Sequence, residues 1–355
     1  MENLRCPGQF TQKVSRGIEY FLIFIYNLTR PHFMKRPLLF SLSLVILSVT
    51  LSFEAVPPEA SISNGLIDAK LYLPDPVNGY YRGARFDWSG VIYELKYKRH
   101  HYFGKWFEHY EPTLHDAIMG PVDSFNPIGY DEAKTGESFL RIGVGTLEKP
   151  EEARYIFSTP YKILNGGTWK VNTKSSGITF THELKSEKYQ YVYTKNVTLT
   201  KGKPELVLQH TLKNTGTTTL ETDVYNHNFF VMDQQPTGPD FMVKFPFVPQ
   251  GEFRGNPEKG AIAGKNIIYK DVISKGEYFA VSPLTGYGTA AKDNDIRVEN
   301  IKTGTGVRII GDRPIVKFVF WSAPATVCPE PYINIKADPG KEVTWSIRYE
   351  FYSTF

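Results

Sequence analysis

Apolar and polar residues alternate with a period of two along most of the chain, and the 3.6-residue period of a surface helix is almost absent. Within 205–213, Leu206, Leu208 and Leu212 fall on one side and Glu205, Gln209 and Lys213 on the other. Asn214-Thr215-Gly216 then turns the chain, and 220–230 returns. Further strands are expected at 189–200, 316–321 and 343–351. Between the strands lie Asn165-Gly166-Gly167, Lys201-Gly202-Lys203-Pro204 and Asp338-Pro339-Gly340, all turn-forming sequences. Successive side chains of a strand point to opposite faces, so each such segment buries one face and wets the other. The pattern predicts an all-β chain, a large antiparallel β-sandwich. One stretch departs from it. From about 104 to 130 the chain is rich in His, Asp, Pro and Gly with weak periodicity, and it reads as a long irregular excursion. Irregular segments of that length within a domain are usually functional or disordered, and the aromatic content here argues against disorder.

Composition supports this reading and adds a leader. The chain has 29 glycines, 24 prolines and 14% aromatic residues, as expected of many short strands joined by turns. Met34-Lys35-Arg36 is a short basic start, followed by an apolar run from Pro37 to Phe53 and small residues before Val56-Pro57-Pro58, the order of a secretory signal. The expected organisation is an over-extended N-terminus at 1–33, a signal peptide at 34–56 and one sandwich domain at 57–355. The chain is then exported, periplasmic or secreted, with no stable membrane association after cleavage. A genuine N-terminal membrane anchor is the alternative. The two cysteines are Cys6 and Cys328. Once the leader is removed a single thiol remains, so the domain has no internal disulfide and must be held by its core. The formal charge of +4 is small and dispersed. Only Lys96-Tyr97-Lys98-Arg99-His100-His101 is densely basic, which reads as a solvated strand end, and no nucleic-acid partner is expected.

Several residues could carry chemistry. In Asn226-His227-Asn228-Phe229-Phe230, His227 shares a strand face with Asp223, Tyr225 and Phe229, and an imidazole is suited to proton transfer near neutral pH. The bland reading is a core histidine. Glu330 stands between Pro329 and Pro331, which fix the backbone and remove two donors; the bland reading is an exposed loop glutamate. Arg82 and Arg85 lie among Tyr80, Tyr81, Phe86 and Trp88, a group able to hold hydroxyls or an anionic substituent and to stack on a sugar. His115, Asp116 and Asp123 in the excursion are further candidates for substrate binding. His100, His101, His109 and His115 cluster in sequence, but no HExxH or cysteine pattern accompanies them, so neither a metal nor another cofactor is expected.

In order and separation, Gly83-Ala84-Arg85-Phe86 leading into Val91-Ile92-Tyr93-Glu94-Leu95, the Asn226–Phe230 segment and Pro329-Glu330-Pro331-Tyr332 together resemble the galactose-mutarotase-like proteins: the aldose 1-epimerases and their hexose-6-phosphate epimerase relatives. The resemblance covers nearly all of 65–355. It implies the family's supersandwich, with His227 as general acid, Glu330 as general base and Arg85 binding substrate; Asn226, beside His227 in sequence, is a further substrate-binding candidate. The activity implied is interconversion of sugar anomers through ring opening, on a monosaccharide or oligosaccharide. The two catalytic side chains are then expected to face one cleft from opposite sides of a space the width of a sugar ring. The chain departs from the family in two ways. The family's Asn-His-Gly-Gly type segment is replaced by Leu114-His115-Asp116 followed by Gly120-Pro121-Val122-Asp123, and Asp240, Asp271, Asp293 and Asp295 compete for the role of the sugar-binding aspartate. A non-catalytic carbohydrate-binding protein and a polysaccharide-processing enzyme on the same fold remain the rival readings.

Overall fold

The pattern of alternation is realised as strands throughout. A computed structural model describes residues 56–355 and contains 23 strands with three short 3-10 turns among them. The leader at 1–33 and all but the last residue of the expected signal lie outside the described residues. No helix among the described residues is long and apolar enough to cross a membrane.

Two large antiparallel sheets set the architecture. The ten-stranded sheet includes Gln190–Leu199, Glu205–Asn214 and Glu342–Ser353 as adjacent strands. The six-stranded sheet runs in the order Gln250–Gly255, Phe279–Thr285, Lys317–Ala323, Thr326–Ala337, Leu220–Phe229 and Gly120–Phe125. Leu206 and Leu208 from the first sheet share one fully buried cluster with Phe318, Phe320 and Val327 from the second. Each such side chain contributes about 1.5–3 kcal/mol by leaving water, which is how a chain with one described cysteine holds together.

The other face of the six-stranded sheet is partly roofed. Residues 80–90, the excursion after Gly104 and a small sheet of Ser138–Arg141, Gly145–Glu148 and Ile163–Asn165 cover it, joined by a second cluster that includes Tyr81, Phe86, Trp88, Phe139, Phe229 and Cys328. The excursion is therefore not irregular throughout, because Gly120–Phe125 forms the edge strand beside Leu220–Phe229. Gly, Pro, Asp and Ser are poor strand formers. Pro121 is tolerated because it sits on the edge strand, where one side needs no ladder donor.

Glu330 likewise lies in a strand rather than a loop. Pairing with Lys317–Ala323 continues through Pro329 and Pro331. Pairing with the His227 strand ends at Tyr225–Tyr332 and resumes only at the isolated Phe230–Val327 bridge. The break falls where the two prolines lack N–H groups. The side-chain amide of Asn228 spans it, donating from Nδ2 to the Pro329 carbonyl at 2.8 Å.

Candidate active site

Alternation along Leu220–Phe229 sorts its side chains into two environments. Asn226 and Asn228 face the interior between the sheets. Tyr349 Oη shares its one proton between Asn226 Oδ1 at 2.9 Å and Asn228 Oδ1 at 2.8 Å, and Asn226 Nδ2 donates to Asp123 Oδ1 at 3.1 Å. Tyr225, His227 and Phe229 face the roofed side, where a cleft of about 500 Å³ opens. The two asparagines thus pin the strand from behind and fix the height at which His227 enters the cleft.

On the cleft floor His227 Nε2 lies 3.3 Å from Glu330 Oε1, both side chains no more than 5% exposed. The pair shares one cleft but is in contact, instead of flanking a sugar-sized gap. The neighbouring strands bring the two residues side by side across the proline break, and a ring must engage them from one side. Among the described residues His227 Nδ1 has no hydrogen-bond partner, so no second carboxylate of theirs supports the imidazole from behind. The ring stacks on Phe229 at 3.8 Å, and Phe229 stacks on Trp106 at 4.9 Å. Phe86 and Trp321 present edges to it at 5.7 and 5.9 Å.

This apolar setting sets the protonation of the pair. Burial holds the His227 pKa well below 6.5, and the positive charge of Arg85 pushes it the same way. Burial raises Glu330 to about 8 against the opposing pull of Arg85 and Lys317. Both shifts disfavour charge and so favour a neutral imidazole beside a protonated carboxyl, with a transferable proton between them.

Arg85 lines the cleft. Its guanidinium lies 4.3 Å from the Phe157 ring and 4.6 Å from Phe86, donates from Nη2 to Tyr225 Oη at 3.3 Å, and approaches His115 Nδ1 at 3.4 Å. His115 and Asp116 stand beside it on the wall, 3.8 Å apart. Burial lowers the His115 pKa, with Arg85 adding to the effect and Asp116 opposing it.

Three expected substrate ligands lie elsewhere. Asp123 is 1% exposed on the inner face of its strand, 2.7 Å from Lys195 Nζ and 3.0 Å from His210 Nε2. Burial alone would raise its pKa, but the Lys195 ammonium and the His210 ring hold it far below the carboxylate range. Asn226 faces the same interior, so both residues brace the site and neither can touch a ligand in the cleft. Arg82 folds back to donate from Nη1 to the Val77 carbonyl, outside the cleft. Among the described residues no group of three or more His, Cys, Asp or Glu side chains gathers as a metal site.

Arg141, Lys317, Tyr155, Phe157 and Trp321 also line the cleft, and sequence reasoning missed them. Trp321 and Lys317 share a face with Val319 on a strand that had been recognised, so alternation from Glu330 across the register could have found them. Arg141 and Tyr155 come from the small roof sheet and its loop, where no pattern signals the cleft.

A scan against protein-family models and a search of curated proteins each returned no match. Comparison with solved structures did return matches. A protein from Synechocystis sp. PCC 6803 superposes with a TM-score of 0.52 at 12% identity, over 85% of this chain and 97% of that one. A protein from Escherichia coli K12, named as a candidate aldose 1-epimerase, gives 0.50 at 12% identity over 83% and 99%. A GalM/aldose epimerase homologue from C. elegans gives 0.50 at 12% identity over 84% and 100%. The fold is the galactose mutarotase-like one. Within that galactose mutarotase-like sandwich, the cleft lies on the roofed face of the six-stranded sheet.

Proposed function

We propose that the protein is an aldose 1-epimerase that opens and recloses a sugar ring with Glu330 and His227. The observation that carries this reading is the buried 3.3 Å contact of carboxyl and imidazole on the floor of an aromatic cleft. Ring opening needs one proton delivered to the ring oxygen and one taken from the anomeric hydroxyl. A carboxyl and an imidazole sharing one transferable proton supply both. Glu330, protonated at rest, donates to the ring oxygen as the C1–O bond breaks, and neutral His227 takes the hydroxyl proton as the aldehyde forms. This is the reverse of the direction implied by the resemblance. Rotation about C1–C2 and reclosure on the other face return both protons. Trp106 and Trp321 offer the apolar surface on which a pyranose face stacks, and Arg85 offers donors to its hydroxyls.

Removing a general acid or base costs about 10² to 10⁴ in rate, so His227→Ala and Glu330→Gln should each reduce anomer interconversion by that factor while leaving the fold intact. Exchange spectroscopy on a panel of aldoses, with circular dichroism as the folding control, makes the measurement. Full activity in either folded variant would refute the reading and leave a carbohydrate-binding protein in its place.

A further inference from the structure

The cleft holds more positive charge than its own carboxylates neutralise. Arg141 is 2% exposed, and its guanidinium meets only uncharged oxygens: Tyr155 Oη, the Arg85 carbonyl, and Ser124 Oγ at 3.0 Å. Arg85 meets a phenol and an imidazole at 3.3 and 3.4 Å, long for charge-assisted bonds. The Nε atoms of both arginines lack a hydrogen-bond partner among the described residues. Among the described residues neither guanidinium has a carboxylate within ion-pair distance. At the exposed rim, Lys317 Nζ sits 4.6 Å above the Tyr332 ring, also without an ion pair. Of the cleft's own carboxyls, Glu330 contacts His227 and Asp116 lies nearest His115, so neither is paired with a guanidinium. Elsewhere the molecule pairs its buried cation: Lys195 sits between Asp123 and Asp87. A buried charge without a counter-charge is costly unless something supplies one, and here the unbalanced charges line the cavity that receives the ligand.

We infer that the cleft is built for an aldose carrying an oxyanionic substituent, a carboxylate or a phosphate, held by Arg85 and Arg141 with Lys317 at the rim. This rests on the reading of the cleft as a sugar site and names the substrate class. Both anions present paired oxygens to a guanidinium fork, so the two sources share one recognition chemistry. A neutral hexose would offer the cations hydroxyl oxygens but no counter-charge.

The test uses the full chain with glucuronate, galacturonate, glucose 6-phosphate, glucose and galactose. Binding is read by calorimetry and anomer exchange by NMR. The expected result is tighter binding and higher kcat/KM for at least one acidic sugar by about ten- to a hundredfold over its neutral counterpart, the range of one charge-assisted bond. Whether the uronates or the phosphate lead identifies the source. Arg141→Gln, or the exposed Lys317→Gln if the first fails to fold, should shrink that preference, and raising the salt should shrink it in the parent. Equal or better use of neutral aldoses would overturn the substrate class while leaving the epimerase reading intact. Binding of acidic sugars without anomer exchange would support the anion site and sink the epimerase. No binding of any acidic sugar would overturn the inference outright.

Discussion

At residue scale, the raised pKa of Glu330 fixes a direction for pH dependence. The active pair holds one transferable proton, so activity should fall as pH rises through about 8, where Glu330 loses it, and fall again in acid as His227 gains a second. A kcat/KM profile that stays flat to pH 10, after subtraction of the spontaneous rate, would contradict this. The ¹⁵N shifts of His227 at pH 7 should be those of a neutral imidazole. The same shift bears on stability. Glu330 titrates higher folded than its ordinary 4.5, so between 4.5 and about 8 the folded state binds more protons and stability declines as pH rises through that window. Glu330→Gln should therefore be more stable than the parent at pH 9, by an amount on the order of a few kcal/mol. Equal melting temperatures at that pH would show that the carboxyl carries no burial penalty. The types and positions of His227, Glu330 and Arg85 were legible in the sequence. Their electrostatics were not, because burial and the charge of Arg85 come from segments far apart in the chain.

At the scale of the element, alternation decided what could be read. The strands at 189–200, 205–213, 220–230 and 343–351 emerge close to the expected bounds; the first two bury alternate residues, whereas 220–229 is buried on both faces from Val224 onward. It misled at Gly120–Phe125, whose six residues are all buried and whose composition disfavours strands. It left the facing of Asp123 undecided, since a polar residue on a strand reads equally as a ligand or as an interior brace, whereas it already set Asn226 on the face opposite His227, against its assignment to the substrate. Asn228 is such a brace, and Asn228→Ala should cost about 1–3 kcal/mol by removing the side-chain donor to the Pro329 carbonyl and leaving the Tyr349 hydroxyl with Asn226 alone. Because Asn228 positions the His227 strand without facing the cleft, kcat should fall more than KM rises. A change in KM alone would argue against positioning.

For the whole molecule, the two sheets are joined by a polar bolt as well as by an apolar core. Lys195 and His210 of the ten-stranded sheet hold Asp123 of the six-stranded one. Removing one partner of a buried pair typically costs about 3–5 kcal/mol, so Lys195→Met should lose stability on that scale in denaturant unfolding. A loss of about 0–1 kcal/mol, the range of an exposed pair, would show that the bolt is slack. The aromatic wall has a further consequence. Two of the chain's five tryptophans, Trp106 and Trp321, stand 5.5 Å apart on that wall, with Trp321 against His227. Any ring that settles there displaces water from both indoles, so the protein carries its own optical gauge. Its intrinsic emission should shift in proportion to occupancy, and a ligand can be titrated without a label on either partner.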